Sequence, residues 1–362
     1  MLKKAAILIS RQGLHPCQTT PWIVQLEKAI DWLQENPYHL YTSVGQQTWE
    51  LQIFLAQQAK IEQTIVIPAN NAAHFENLKQ TVIEQFCLDT KRVQFENVYS
   101  NNSKSLLYQR DAKIVLNSDI LIPISIRNRG HMKELISEIP VKNRLMNDFQ
   151  IDYRPKKANI AYKIEDNCLS KELLALSSRY VIHWTRASKN PWPTENKFNY
   201  YQAITNSNIY PRNAFASLKN MLTYGQIKAS SQHMPKNIPT VSFSGLPPQD
   251  AVSLMHWRSR YCQMSFEPYG IGIEKAYALS MGIQEVKYYQ PGQKPKGVFP
   301  WLYQSIGRQA DWRLEDEYRH LGDLDLLCIP NNKIISFCYR HHEAHDIQNR
   351  FGIQSIAMID KK

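Results

Sequence analysis

Three short segments in the second half of this 362-residue chain carry side chains that can move protons or hold charge: His183-Trp184-Thr185-Arg186, Ser242-Phe243-Ser244 and Trp312-Arg313-Leu314-Glu315-Asp316-Glu317-Tyr318-Arg319. The first two close apolar runs of strand character. Two carboxylates spaced two apart on a strand point to one face, an arrangement suited to paired charge-stabilising and acid-base work, and Glu315 and Glu317 have that spacing. Taken singly, each segment has a plainer explanation. A lone histidine at the end of an apolar strand is more often a satisfied structural residue. An acidic run before Tyr-Arg is usually a solvated face whose Arg319 pairs locally. Ser-Phe-Ser followed by Gly245-Leu246-Pro247-Pro248 also reads as a strand running into a turn. The ordered occurrence of an imidazole, a hydroxyl and two acids is what favours catalysis.

Other residue sets point to other chemistry. His341 and His345 lie one helical turn apart, a spacing that can hold zinc, but no HExxH is formed and no third ligand is evident, so no metal site is expected. The six cysteines (Cys17, Cys87, Cys168, Cys262, Cys328, Cys338) are scattered without a Cys-x-x-Cys pair, which fits reduced structural thiols. Lys294-Pro295-Lys296-Gly297 and the pairs Tyr200/Tyr201 and Tyr288/Tyr289 offer basic and aromatic surface of the kind that single-stranded nucleic acid uses.

The ordered set resembles the abortive-infection AbiGi-like proteins of phage resistance over roughly residues 179 to 345. That family shows an early His near a first strand, Ser-Phe-Ser, an aromatic-rich Gly segment and Trp-x-x-Glu-x-Glu-aromatic-Arg. The aromatic part here is His256-Trp257-Arg258-Ser259-Arg260-Tyr261 running into Glu267-Pro268-Tyr269-Gly270-Ile271-Gly272-Ile273. The resemblance implies an ADP-ribosyltransferase-like fold, with its His-Tyr/Ser-Glu order, and NAD as the substrate. On that implication Glu317 stabilises the oxocarbenium-like centre formed as nicotinamide leaves, and Glu315 orients or deprotonates the nucleophile. His183 bonds a ribose hydroxyl or the NAD backbone, and Ser242 holds the glutamate. Arg186, Arg258 and Arg260 serve the pyrophosphate, Trp257 or Tyr269 stacks on nicotinamide or adenine, and Thr185 joins the cofactor-binding set. Nicotinamide is already a cationic leaving group, so this chemistry asks for no metal. The implied activity is an NAD-dependent ADP-ribosyltransferase, a glycosyl-transfer enzyme, or an NAD glycohydrolase, as a phage-defence or toxin-type effector acting on nucleic acid or protein. The alternative is a non-catalytic nucleic-acid-binding or nucleotide-sensing protein.

The elements that must position these residues follow two patterns. Residues 3 to 138 alternate extended apolar runs with amphipathic helical ones, from Ala5-Ala6-Ile7-Leu8-Ile9 and a helix opened by Thr20 and Pro21 to a strand ending near Ser125 and a helix from His131. Such alternation predicts an α/β Rossmann-like parallel sheet, domain 1–145, and the layout resembles the SLOG superfamily, which includes the LOG enzymes. Ligands of such sheets bind beyond the strands' carboxyl ends, here loops carrying Arg11, Gln46, Arg127 and Arg129. There is no Gly-x-Gly-x-x-Gly and no Walker loop. A scaffold, or a sensor of a nucleotide ligand, is therefore the expectation, and the missing glycine-rich loop counts against the further alternative of a LOG-type nucleotide hydrolase. A linker is placed at 146–178, within which Asp152-Tyr153-Arg154-Pro155-Lys156-Lys157 marks a basic, Pro-broken connection. Beyond it, 179–362 reads as an α+β split-sheet domain with strands at 179–184, 240–244, 270–274, 286–289, 325–329 and 334–338.

A hydrophobic content of 43% supports packed cores, and the length suits two of them. The net charge of +11 favours phosphate-bearing partners without choosing among them. No run approaches the roughly 18 apolar residues that a bilayer requires. The N-terminal apolar stretch is too short for a signal peptide, so a cytoplasmic protein without membrane contact, and with oligomers allowed, is expected.

Overall fold

The computed structural model describes residues 2–100, 102–138, 144–154, 162, 164–176, 179–232, 234–258, 263–293, 297, 299–306 and 312–360. It divides into two compact units, Met1–Lys157 with Asn190–Pro211, and Ala158–Lys189 with Arg212–Lys362.

In the first unit β1 (Lys3–Ile9), α1 (Pro21–Glu35), β2 (Tyr38–Ser43), α2 (Gln47–Gln58), β3 (Gln63–Ala69), α3 (Ala72–Phe86), β4 (Val93–Tyr99), α4 (Ser103–Leu116), β5 (Ile120–Ser125) and α5 (His131–Glu138) alternate strictly. All five strands are parallel, in the order β4-β3-β2-β1-β5. This is Rossmann-like α/β character. Ala5 to Ile9 are buried without a break, as expected of a central parallel strand covered on both faces. The apolar face of α1 buries Trp22, Ile23, Leu26, Ala29, Ile30 and Leu33. Thr20 occupies the N-cap position of α1, but its hydroxyl accepts from the Cys17 N–H at 2.9 Å and caps no helix donor.

The chain next forms the short α6 (Lys171–Leu174) in the second unit, and α7 (Lys197–Thr205) then returns to the first. The segment 190–211, expected within the second domain, belongs to the first unit. Lys197 Nζ and the Tyr201 hydroxyl both bind the Glu50 carboxylate of α2, the latter at 2.9 Å.

The second unit is built on β6 (Tyr180–Trp184), β7 (Gln226–Ile227), β8 (Thr240–Ser244), β9 (Trp257–Arg258), β10 (Gln263–Met264), β11 (Gly270–Glu274), β12 (Gln284–Glu285), β13 (Lys287–Tyr289), β14 (Tyr303–Ser305), β15 (Glu317–Leu321), β16 (Leu324–Asp325), β17 (Ile334–Cys338) and β18 (Gln354–Ala357). Its main sheet is mixed, in the order β12-β15-β8-β6-β11-β17-β18, and only the β17–β18 pair is parallel. The pairs β9/β10, β13/β14 and β7/β16 stand apart from it. Helices α8 (Ala214–Tyr224), α9 (Pro248–Ala251), α10 (Lys275–Ser280) and α11 (His341–Phe351) complete the unit. Val181, Val241, Phe243 and Tyr318 join one core layer, while Ile182 and Trp184 join the other.

The strand expected over 325–329 stops at Asp325. Its carboxylate accepts from the Leu327 N–H at 2.9 Å, a local turn bond that competes with the sheet ladder, and Leu327 stands 80% exposed.

Candidate functional site

Strands β6, β8 and β15 lie side by side, which brings the three chemical segments of the sequence to one region of the second unit. Their junctions differ. β8 and β15 pair over five residues, from Glu317↔Ser244 to Leu321↔Thr240, whereas β6 and β8 share the single pair Ile182↔Ser244. The sheet is thus loosely joined where His183 and Ser242 stand.

Glu317 opens β15. Its Oε1 accepts from the Ser242 hydroxyl of β8 at 3.0 Å and from Arg319 Nε at 2.8 Å, and its Oε2 accepts from Arg319 Nη2 at 2.9 Å. Arg319 is 1% exposed, and it also donates to the Trp301 carbonyl at 2.8 Å and to Gln304 Oε1 at 2.9 Å. The expected local pairing of Arg319 therefore exists, but as a buried bidentate fork rather than a solvated charge run. It leaves the carboxylate fixed in one orientation.

Glu315 is not on the strand. It ends a 3-10 turn over Trp312–Glu315, and Asp316 follows in the left-handed region at φ 45°. The Glu315 carbonyl accepts from the Ser244 hydroxyl at 2.8 Å, and the Asp316 carbonyl accepts from the Gly245 N–H at 2.7 Å. This turn, not strand alternation, brings the second acid near Glu317. Burial, and next the Glu317 charge, push the Glu315 carboxyl up to about 7, against the pull of Arg258 and Arg319. Arg258 Nη2 lies 3.5 Å from Glu315 Oε1.

His183 Nδ1 lies 2.8 Å from the Ser242 carbonyl, so that nitrogen carries the proton and donates. Burial is the main cause lowering its pKa and the Arg186 charge adds to it, with the Ser242 bond acting in opposition. The neutral ring then keeps Nε2 as an acceptor. Strand alternation places His183 on the side of Val181 and Phe243, with its ring 5.8 Å from Phe243, while the Ser242 and Glu317 side chains take the other side. The imidazole meets the acidic cluster at the β6/β8 seam through the Ser242 backbone, and its ring does not face Glu317.

The remaining expected ligand contacts divide. Arg186 follows the end of β6; desolvation of its guanidinium, and next the charge of Arg258, lower its pKa against the pull of Glu267. Trp257 is half-buried on β9. Thr185 is buried and donates to the Ala214 carbonyl at 3.3 Å, so its side chain is committed to packing α8. Tyr269, expected as a stacking ring, is 4% exposed and donates to Glu343 at 2.8 Å within the core, because the chain enters the central strand β11 directly after it. Arg260 lies outside the described residues, as do Lys294 to Lys296. His341 Nε2 lies 3.1 Å from Asp360, and among the described residues no group of three His, Cys, Asp or Glu side chains is placed to hold a metal.

Sequence reasoning gave Tyr288 only as half of an aromatic pair and Glu267 only as part of the aromatic-rich segment, with no place for either beside the candidate site. Tyr288 has its pKa raised by burial and by the charges of Glu317 and Glu315, which puts it beside the acids. Glu267 accepts from the Ala187 N–H at 2.7 Å and from the Tyr162 hydroxyl at 2.8 Å, fixing the loop that presents Arg186.

In the first unit, the sheet's direction of winding changes between β1 and β5. Ser10 and Arg127 lie there, the Arg127 N–H donating to the Ser10 hydroxyl at 3.0 Å, with the guanidinium donating to the Tyr153 hydroxyl at 2.9 Å. Arg11 and Arg129 are exposed on the same loops, and Gln46 precedes α2. Among the described residues no helix is long and apolar enough to cross a membrane.

No family model matches the chain, and no curated protein matches it. Among solved structures, it is similar to DNA processing protein A from Helicobacter pylori, studied for its single-stranded DNA binding mode, at 14% identity and a TM-score of 0.28. That match covers 38% of this chain and 61% of the other, and a likeness of this extent carries no argument about fold or function.

Proposed function

We propose that the second unit is an ADP-ribosyltransferase-like module that consumes NAD, passing ADP-ribose to a macromolecular acceptor or to water, as an effector of the abortive-infection kind. The observation that carries this reading is the fixed Glu317 carboxylate, held by Ser242 and Arg319 with Glu315 beside it. In the proposed step the bond between nicotinamide and ribose breaks, and its electron pair leaves with the nicotinamide nitrogen. Glu317 stabilises the positive charge that develops on the sugar; a preoriented carboxylate does this without reorganising. The acceptor oxygen or nitrogen, or water, bonds to the anomeric carbon and its proton passes to Glu315. Arg186 and Arg258 suit the diphosphate, while His183, whose ring lies on the other face of the sheet against Phe243, takes no part in holding the ribose.

Purified protein is expected to release nicotinamide from NAD, and Glu317→Gln to reduce that release at least about a hundredfold, the scale for losing a group that acts on the transition state. Because Glu317 also neutralises buried Arg319, Ser242→Ala serves as a milder variant, expected to lower kcat about tenfold with the thermal melt little changed. Undiminished turnover in Glu317→Gln would remove the assignment.

A second reading rests on charge. The second unit holds 23 Lys and Arg against 16 Asp and Glu, the first 20 against 16. A non-catalytic nucleic-acid binder would show affinity falling steeply with salt and no NAD heat in calorimetry.

A further inference from the structure

We propose that His183 is a positioning residue: its Nδ1–H closes the gap between β6 and β8 by holding the Ser242 carbonyl, and so sets the Ser242 hydroxyl that fixes Glu317. The consequence for catalysis rests on reading the second unit as an NAD site; the closure of the gap does not.

Alternate residues of a strand turn their backbone N–H and C=O groups to the same edge, so Thr240, Ser242 and Ser244 of β8 face one side together. Two of the three meet other backbone there. Thr240 exchanges bonds with Ser230 in both directions, at 3.0 Å and 3.1 Å, and Ser244 pairs with Ile182 of β6. Between them a rung is missing. Were the register to run on, Ser242 would face Trp184, but that pair is not formed, while on its other edge β6 pairs with β11 along all five of its residues. A strand carbonyl left in such a gap needs another donor. His183 supplies it, with Nδ1 at 2.8 Å from the Ser242 oxygen. The carbonyl has no proton to give, so Nδ1 is the nitrogen that carries one.

Ser242 is therefore held from both edges of its strand. β15 lies along one, with Arg319 opposite Ser242, and the imidazole takes the place of backbone on the other. The packing of the ring sets its angle: it meets Phe243 edge-on at 5.8 Å and an interplanar angle of 64°, on the face that carries Val181. From the opposite face the Ser242 hydroxyl donates to Glu317 Oε1 at 3.0 Å, beside the two bonds from Arg319. His183 thus touches neither acid. What it fixes is the backbone from which the hydroxyl reaches Glu317, and a small displacement of that backbone moves a group whose orientation decides how well the carboxylate faces a reacting sugar.

The first test needs no variant beyond one for assignment. In 15N spectra of full-length protein labelled in its histidine rings, His183 is expected to show a protonated Nδ1 and a bare Nε2; a bare Nδ1 overturns the proposal. Three variants then separate the two ring nitrogens, because asparagine places an amide nitrogen near the position of Nδ1, glutamine near that of Nε2, and alanine near neither. In nicotinamide release from NAD, His183→Asn is expected to keep kcat within about threefold of wild type, and His183→Gln and His183→Ala to lose about tenfold to a hundredfold with KM little changed. Thermal melts give the folded fraction to which each kcat is referred, so a role in stability alone would leave kcat equal in all three. In a Ser242→Ala background, His183→Gln is expected to cost less than about twofold further, since its route runs through the Ser242 hydroxyl. Equal kcat in the three variants, or the full loss repeated in that background, overturns the proposal. If the wild type releases no nicotinamide, the NAD reading falls and hydrogen exchange over residues 240–245 decides the rest: protection kept in His183→Asn and lost in His183→Gln and His183→Ala supports closure of the gap, and equal protection in the three overturns it.

Discussion

At the scale of single residues, the two acids divide their work by environment. Glu317 spends its oxygens on Ser242 and Arg319, so it is positioned as an anion. Burial and then the Glu317 charge raise Glu315 to about 7. A base must be deprotonated, so kcat/KM for transfer or hydrolysis, which reports the free enzyme, is expected to rise with pH through a limb centred near 7. Burial lowers the pKa of His183, which moves its own titration towards the acid side of that limb. Profiles of nicotinamide release between about pH 5 and 9 check this. Glu315→Gln should lack the limb, and its persistence there would assign the titration to another group. The chemical types of these residues were legible in the sequence. That Glu315 arrives on a left-handed turn, and that Thr185 and Tyr269 face inward, was not, because local spacing does not reveal which side of a strand end is covered.

At the scale of elements, most strands and helices of the first unit could be read from apolar periodicity, since parallel strands buried on both faces leave long unbroken apolar runs. The second unit was read less fully. Its strands β6, β8, β11 and β17 were visible, but α8, α11 and β18 were not, and the 325–329 run proved to be a turn held by Asp325. One close approach is critical. A Cβ added at Gly270 would come within 2.9 Å of the His183 backbone oxygen, and within 3.0 Å and 3.1 Å of the Trp184 and Ile182 side chains. Backbone cannot yield as a side-chain tip can. Gly270→Ala is therefore expected to destabilise the second unit by about 1–3 kcal/mol and to displace the strand end that carries His183. Denaturant melts check the stability; a midpoint equal to wild type would show that β6 and β11 have slack here.

At the scale of the whole molecule, the chain does not divide at one point. Asn190–Pro211 leaves the second half and completes the first unit, where buried Glu50 takes both Lys197 and the Tyr201 hydroxyl. Removing one partner of a buried carboxylate leaves its desolvation uncompensated, so Tyr201→Phe is expected to cost the first unit about 1–3 kcal/mol. Differential scanning calorimetry should show the loss, and an unshifted first-unit transition would mean that 190–211 adds nothing to its stability. From its sequence alone the chain determined an alternating α/β first half, an α+β second half and the order of an imidazole, a hydroxyl and two acids, because periodicity and residue type are local properties. Only tertiary structure decided that Ser242 clamps Glu317, that Arg319 is buried beneath it and that α7 crosses back to the first unit. Each of those depends on which strands lie side by side, and pairing between residues some 60 to 150 positions apart is a global choice that no window of sequence contains.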